Sequence, residues 1–131
     1  MTVGLVSIFI VIVAVWLVAT GRISSPGLVK YLRSLFVGRQ SGQMHNINHE
    51  SGHCYVVIVP EQLLSDREVA SWVHLFEDGK PIGPAHCPHD QVRQFGGGRF
   101  SHWGAEVYFS SSDNSDPRTN GRDYAWREIA Q

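Results

Sequence analysis

Two segments concentrate residues that bind metals. His45, His49 and His53 recur every four residues and Cys54 follows them; further on, His86-Cys87-Pro88-His89 adds two imidazoles and a thiol. On a helix the first three would share a face and could hold zinc. The surrounding MHNINHESGHC is rich in Asn, Ser and Gly and makes a poor helix. No Cys/His spacing here matches a zinc motif, so the expectation is no metal and no cofactor, with the histidines on the surface and in a linker. Asp113-Asn114-Ser115-Asp116, with Asn120 and Asp123, gathers the oxygens that calcium would need. Counted from Asp113, however, the sixth and twelfth loop positions are Arg118 and Tyr124 rather than Gly and an acid. The same residue types bond to nearby backbone and build turns, which Pro117 would stiffen.

Covalent chemistry has less support. Ser101-His102 and Asp113 could be assembled into a triad on paper, but no G-x-S-x-G elbow is present. Gly96-Gly97-Gly98 lacks the Lys and Ser/Thr of a phosphate loop. The paired carboxylates Glu77-Asp78 and Asp113-Asp116 fall in predicted turns, where solvation explains them. The reading is a chain without catalytic residues.

The aromatic residues say more. Trp72, Trp103, Tyr108, Phe109 and Trp126, with Tyr55, Phe76 and Phe100, exceed what a polar surface needs, and some must form the core. Alternation along a strand puts Tyr108 and Phe109 on opposite faces. One of them is therefore left for a ligand or partner. An aromatic surface with polar neighbours suits protein contact, centred on Trp103 and Tyr108, or sugar binding with Asp113, Asn114 and Asn120 as polar partners.

The elements that must position these residues follow from pattern. HCYVVIV (53–59) reads as a buried strand ended by Pro60, and ASWVHLFE (70–77) as a second strand entering an Asp78-Gly79 hairpin turn. HDQVRQF (89–95) reads as a short helix between Pro88 and Gly96. Residues 99–103 and 106–110 form a strand pair around Gly104, and Asn120-Gly121 turns into a last strand over 124–129. Residues 53–131 are thus expected to be a small mainly-β head, an antiparallel sheet or sandwich, preceded by a polar linker at 39–52.

The N-terminal part differs in texture. Val3 to Thr20 is free of charge over 18 positions, and as a helix it would reach about 27 Å, close to the hydrocarbon thickness of a bilayer. Residues 1–22 are expected to be an uncleaved single transmembrane helix, with Trp16 at the membrane interface. A signal peptide would want a positive start, which is missing. Ser25 and Pro26 open a predicted amphipathic interfacial helix over 23–38, with Leu28, Leu32 and Leu35 on its apolar stripe. Arg22, Lys30, Arg33 and Arg39 follow the span with no acid before Glu50, so the positive-inside rule places the N-terminus outside and the head in the cytoplasm, with Cys54 and Cys87 as reduced thiols. With the opposite orientation the two cysteines become a candidate disulfide. A formal net charge of −1 over 131 residues gives no reason to expect nucleic acid.

The segments WVHLFEDGKPIGPAH, GGGRFSHWG and VYFSSSDNSDPRTNGR, between Ser71 and Tyr124, resemble a β module of bacterial proteins found as an extra piece on methyltransferase-like or glycosyltransferase-like polypeptides. The likeness covers roughly two fifths of the chain. It implies a folding unit and a bacterial source, and it assigns no catalytic role to any residue. Together these features point to a non-catalytic accessory subunit of the bacterial inner membrane. It would bind and stabilise a larger membrane protein complex, respiratory or photosynthetic by analogy, with membrane lipid as a second partner. Its contacts would come from Trp16, Leu28, Leu32, Leu35, Trp103 and Tyr108. The alternative is a membrane-tethered carbohydrate- or glycolipid-binding module.

Overall fold

The computed structural model describes residues 12, 13, 16, 17, 20, 39–67 and 70–129. The chain divides into two units, Met1–Val37 and Gly38–Gln131. In the first, residues 12, 13, 16 and 17 are helical, and Thr20 donates its N–H and hydroxyl to the Trp16 carbonyl at the end of that turn. No helix among the described residues is long and apolar enough to cross a membrane. This corrects the expected single transmembrane helix, and with it the inner-membrane localisation and the outside-to-cytoplasm orientation. An uncharged run reports a preference for an apolar environment, whereas a span requires about 20 residues of continuous helix. Most of Val3–Thr20 lies outside the described residues, as do the interfacial helix at 23–38 and its stripe Leu28, Leu32 and Leu35.

The second unit is mainly β, with two antiparallel sheets and one short helix. Its strands are β1 (Ser41–Gln43), β2 (Asn48–Ser51), β3 (Cys54–Ile58), β4 (Val73–Glu77), β5 (Lys80–Pro81), β6 (Phe100–Trp103), β7 (Glu106–Phe109) and β8 (Tyr124–Glu128); the helix α1 spans His89–Phe95. One sheet runs β1-β8-β4-β5 and the other β2-β3-β7-β6. The inward residues of both, including Tyr55, Val57, Val73, Leu75, Val107, Phe109, Tyr124 and Trp126, form one buried cluster. This is the interdigitated core of a two-layer sandwich.

Most elements lie where the pattern put them. Asp78 and Gly79 both have positive φ, 49° and 76°, the geometry that matches a two-residue hairpin to strand twist. Helix α1 starts after Pro88 and stops at Gly96, whose N–H caps it on the Val92 carbonyl. The correction is at 39–52. That segment contains β1 and β2 instead of a linker. β1 pairs with β8, setting Gly42 opposite Trp126. A Cβ at Gly42 would come within 2.8 Å of the Trp126 indole nitrogen, so only glycine admits that ring. Both strands are short, polar and largely exposed, and their pairing comes from neighbours rather than from alternation.

The outer face of the second sheet positions the candidate site. β3, β7 and β6 turn Ile58, Glu106 and Trp103 outward in one row, and Val56, Tyr108 and Ser101 in the next. Helix α1 covers one end of this face, where Val92 packs with Cys54, Cys87 and Tyr108. The row of Ile58 and Trp103 stays uncovered, 68% and 46% exposed respectively.

Candidate functional site

Asp66 organises the free edge of β6. Its backbone N–H donates to the His102 carbonyl at 2.8 Å. Its carboxylate accepts the N–H groups of Ser71 (2.8 Å) and His102 (3.0 Å), the hydroxyl of Ser101 (3.4 Å) and Nδ1–H of His86 (2.6 Å). On the same edge the Cys87 N–H donates to the Phe100 carbonyl and the Phe100 N–H to the Pro84 carbonyl. The 84–87 loop thus takes the place of a further strand, with His86 in the left-handed region at φ 58°. An ionised carboxylate only accepts, so the bond to Asp66 puts a proton on Nδ1 of His86 and leaves Nε2 as the nitrogen able to bond outward. His102 is fully buried one residue away from Ser101, its Nδ1 2.7 Å from the Ser71 hydroxyl.

Beside this clasp lies an aromatic corner. His89, the first residue of α1, stacks on Tyr108 with centroids 4.0 Å apart and 21° between planes, and meets Trp103 edge-on at 6.2 Å and 86°. Tyr108 donates its hydroxyl to Glu106 at 2.6 Å, and that bond, with burial, pushes the phenol up to about 12. Between clasp and corner is an open depression of about 640 Å³, walled by Asp66, His86, Pro88, His89, Ser101 and Trp103. Trp103 and Tyr108, expected from sequence as the contact pair, are therefore brought together here. Phe109, by contrast, is fully buried in the core. Trp16, the remaining expected contact residue among those described, belongs to the first unit and is exposed.

The two thiols are nearby and muted. Cys54 and Cys87 are free and buried in one cluster. Burial pushes Cys54 up to about 12 and raises Cys87 as well. Thiols in this state are poor nucleophiles and poor metal ligands. Among the described residues no three His, Cys, Asp or Glu side chains are grouped to hold a metal. His49 packs its ring on Tyr55 and bonds to the Gly52 carbonyl.

The polar loop 110–122 has its side chains turned to its own structure. Asp113 takes a two-pronged bond from Arg122 at 2.9 and 2.6 Å, which holds its carboxyl well below the usual range. Asn114 accepts the Gly97 N–H at 2.6 Å and donates to the Phe95 carbonyl. Gly96, Gly97 and Gly98 all have positive φ; the Gly97 N–H alone reaches this oxygen, while those of Gly96 and Gly98 bond to Val92 and Ser111. Asn120 donates to Ser115 and the Tyr124 hydroxyl. Glu77 anchors the whole loop: it accepts Ser112 N–H and hydroxyl, Tyr124 hydroxyl and Arg122 Nη1. Burial opposes its charge, yet these bonds hold its carboxyl below the ordinary value. Asp113, Asn114 and Asn120 accordingly build turns, and they do not face the Trp103 depression.

Sequence reasoning missed Asp66 and weighed His86 only as a metal ligand; the two are 20 residues apart and meet through the β6 edge. His89 left a faint signal, since it precedes Val92 by three and so shares the helix face that packs on the sheet. Compared with known proteins, the chain matches no family model, no characterised protein and no solved structure. The likeness of residues 71–124 to a bacterial module rests on the quoted segments alone.

Proposed function

We propose that the β unit is a non-catalytic accessory module that docks on a larger protein through the outer face of its second sheet. The observation that carries this is Trp103: a large aromatic side chain, half exposed, standing at the wall of the depression and braced by His89. Buried aromatic anchors supply most of the energy of protein contacts, and a ring already held in place loses little freedom on binding. Ile58 extends the apolar part of the surface, and Glu106 gives it a polar element. The groups best suited to covalent chemistry are engaged elsewhere. The thiols are protonated, and Asp66 spends its bonds on holding loops together. Asp113, Asn114 and Asn120 bond within the domain, to Arg122, Gly97 and Ser115.

The test is recovery of partners on the tagged full chain from extracts of the native host, comparing wild type with Trp103→Ala by quantitative mass spectrometry. A defined protein set retained by wild type and lost from the variant is expected. Equal recovery on both would overturn the reading.

A further inference from the structure

The docking face has a specific chemistry, and, resting on that reading, we propose that its depression receives the guanidinium of an arginine on the partner protein, laid on the Trp103 ring between Glu106 and the His86–Asp66 pair. Three observations combine.

The first is charge. The depression contains the Asp66 carboxylate and no Lys or Arg among its walls. Glu106 stands opposite Trp103 in the β6–β7 register, which places the two side chains about 5 Å apart at their Cβ atoms. One Glu106 oxygen accepts the Tyr108 hydroxyl; the other is open to a cation. Of the nearby cations, Arg67 beside Asp66 is exposed at the surface, and two others have bonds of their own. Arg93 is held by Glu50 and Asp90, and Arg99 lies over Phe95 and donates to the Gly96 carbonyl.

The second is the ring. An exposed indole face is the preferred aromatic surface for a cation, and an arginine stacks on it more often than a lysine does. This domain already uses the same contact internally, with Arg127 4.4 Å above the Phe76 ring.

The third is the placement of acceptors, which selects a planar fork over a point charge. β6 lies between β7 and the 84–87 loop. Glu106 therefore approaches Trp103 from the β7 side, and the Asp66 carboxylate, bonded to His86, stands on the free-edge side of β6. A guanidinium carries donors on opposite edges of one plane and can serve both at once; an ammonium offers them from a single centre.

The experiment titrates the isotope-labelled full chain with acetyl-Gly-Arg-Gly amide and with the citrulline peptide of the same shape and no charge. The arginine peptide is expected to shift the Trp103 indole N–H saturably, with binding weakened about fivefold or more by citrulline or by Glu106→Gln. Equal response to the two peptides, or none to the arginine peptide, would overturn the inference. Partner recovery on Glu106→Gln separates the two levels. A partner lost from Trp103→Ala but kept by Glu106→Gln leaves the docking reading standing and removes the arginine; a partner kept by both removes the docking reading itself.

Discussion

His89 lies flat against Tyr108, 4.0 Å between ring centroids, so the start of helix α1 and the middle of β7 are joined by one aromatic stack. Tyr108 and its neighbour Phe109 thereby acquire different roles. Phe109 points into the sandwich and is fully buried, whereas Tyr108 supports the outer surface.

Phe109→Ala and Tyr108→Ala should separate these roles. Emptying a fully buried Phe site costs about 3–5 kcal/mol, a large part of the stability of a domain this small. Tyr108→Ala should cost less and leave a cooperative urea transition, while weakening capture of partners on Trp103. Tyr108→Phe should keep the stack and lose only the bond to Glu106, about 1 kcal/mol. Urea melts of the three variants, read beside partner recovery, check the assignment. A Tyr108→Ala variant as unstable as Phe109→Ala would make the outer stack part of the core.

Glycine substitutions should divide according to what a new methyl would meet. At Gly96 a Cβ would fall within 2.0 Å of the Asn114 side-chain oxygen and 2.9 Å of the His53 Cβ, with φ already at 56°. Gly79 has φ 76° and open space around it. Gly79→Ala should therefore cost only the left-handed penalty, about 1–2 kcal/mol. Gly96→Ala should cost clearly more, because its methyl also displaces the Asn114 side chain. Paired thermal melts would show it, and equal losses at the two sites would mean that the Asn114 side chain yields without cost.

The legible parts of this fold were those written in local chemistry. β3, β4, α1, β6, β7 and β8 lay close to where alternation, Asp78-Gly79 and the Pro88/Gly96 brackets put them. β1 and β2 were hidden because their side chains face solvent, and a strand defined by backbone pairing to β8 or β3 has no hydrophobic period to read. The site divides in the same way. Trp103 and Tyr108 were legible because an aromatic strand has two faces. Asp66 was not, and His86 stood out only as a possible metal ligand, since a loop carboxylate gains its meaning only when β6 and the 84–87 loop close around it. The apolar run at 3–20 shows the opposite error: hydropathy alone predicts a span there, and no described helix is long enough.

The thiols give a solvent-exposure test. Burial pushes Cys54 up to about 12 and raises Cys87, so neither forms much thiolate at pH 8. Native protein should react with an aromatic disulfide reagent far more slowly than protein in urea, which should titrate two thiols. Fast stoichiometric labelling of the native chain would show that the cluster of Cys54, Cys87 and Val92 is open.

Acid should loosen the polar loop through Glu77. Its carboxyl is held below the ordinary value when folded, so the folded state binds this proton less readily than the unfolded chain. The stabilisation is present in full above the unfolded value, about 4.3, and is lost as pH falls through the lower folded value. Asp113 and Asp116, depressed by Arg122 and Arg118, shift in the same direction. Wild type should thus show a urea midpoint that falls steeply below about pH 4.5. Glu77→Gln should be less stable at pH 7, because Arg122 and the Tyr124 hydroxyl lose their charged acceptor, and should lose less on acidification. Urea midpoints of both proteins at pH 7 and at successive steps below about pH 4.5 measure the difference. Parallel curves would show that Glu77 contributes no charge-dependent stability and that the loop is held by Asp113 and the backbone turns.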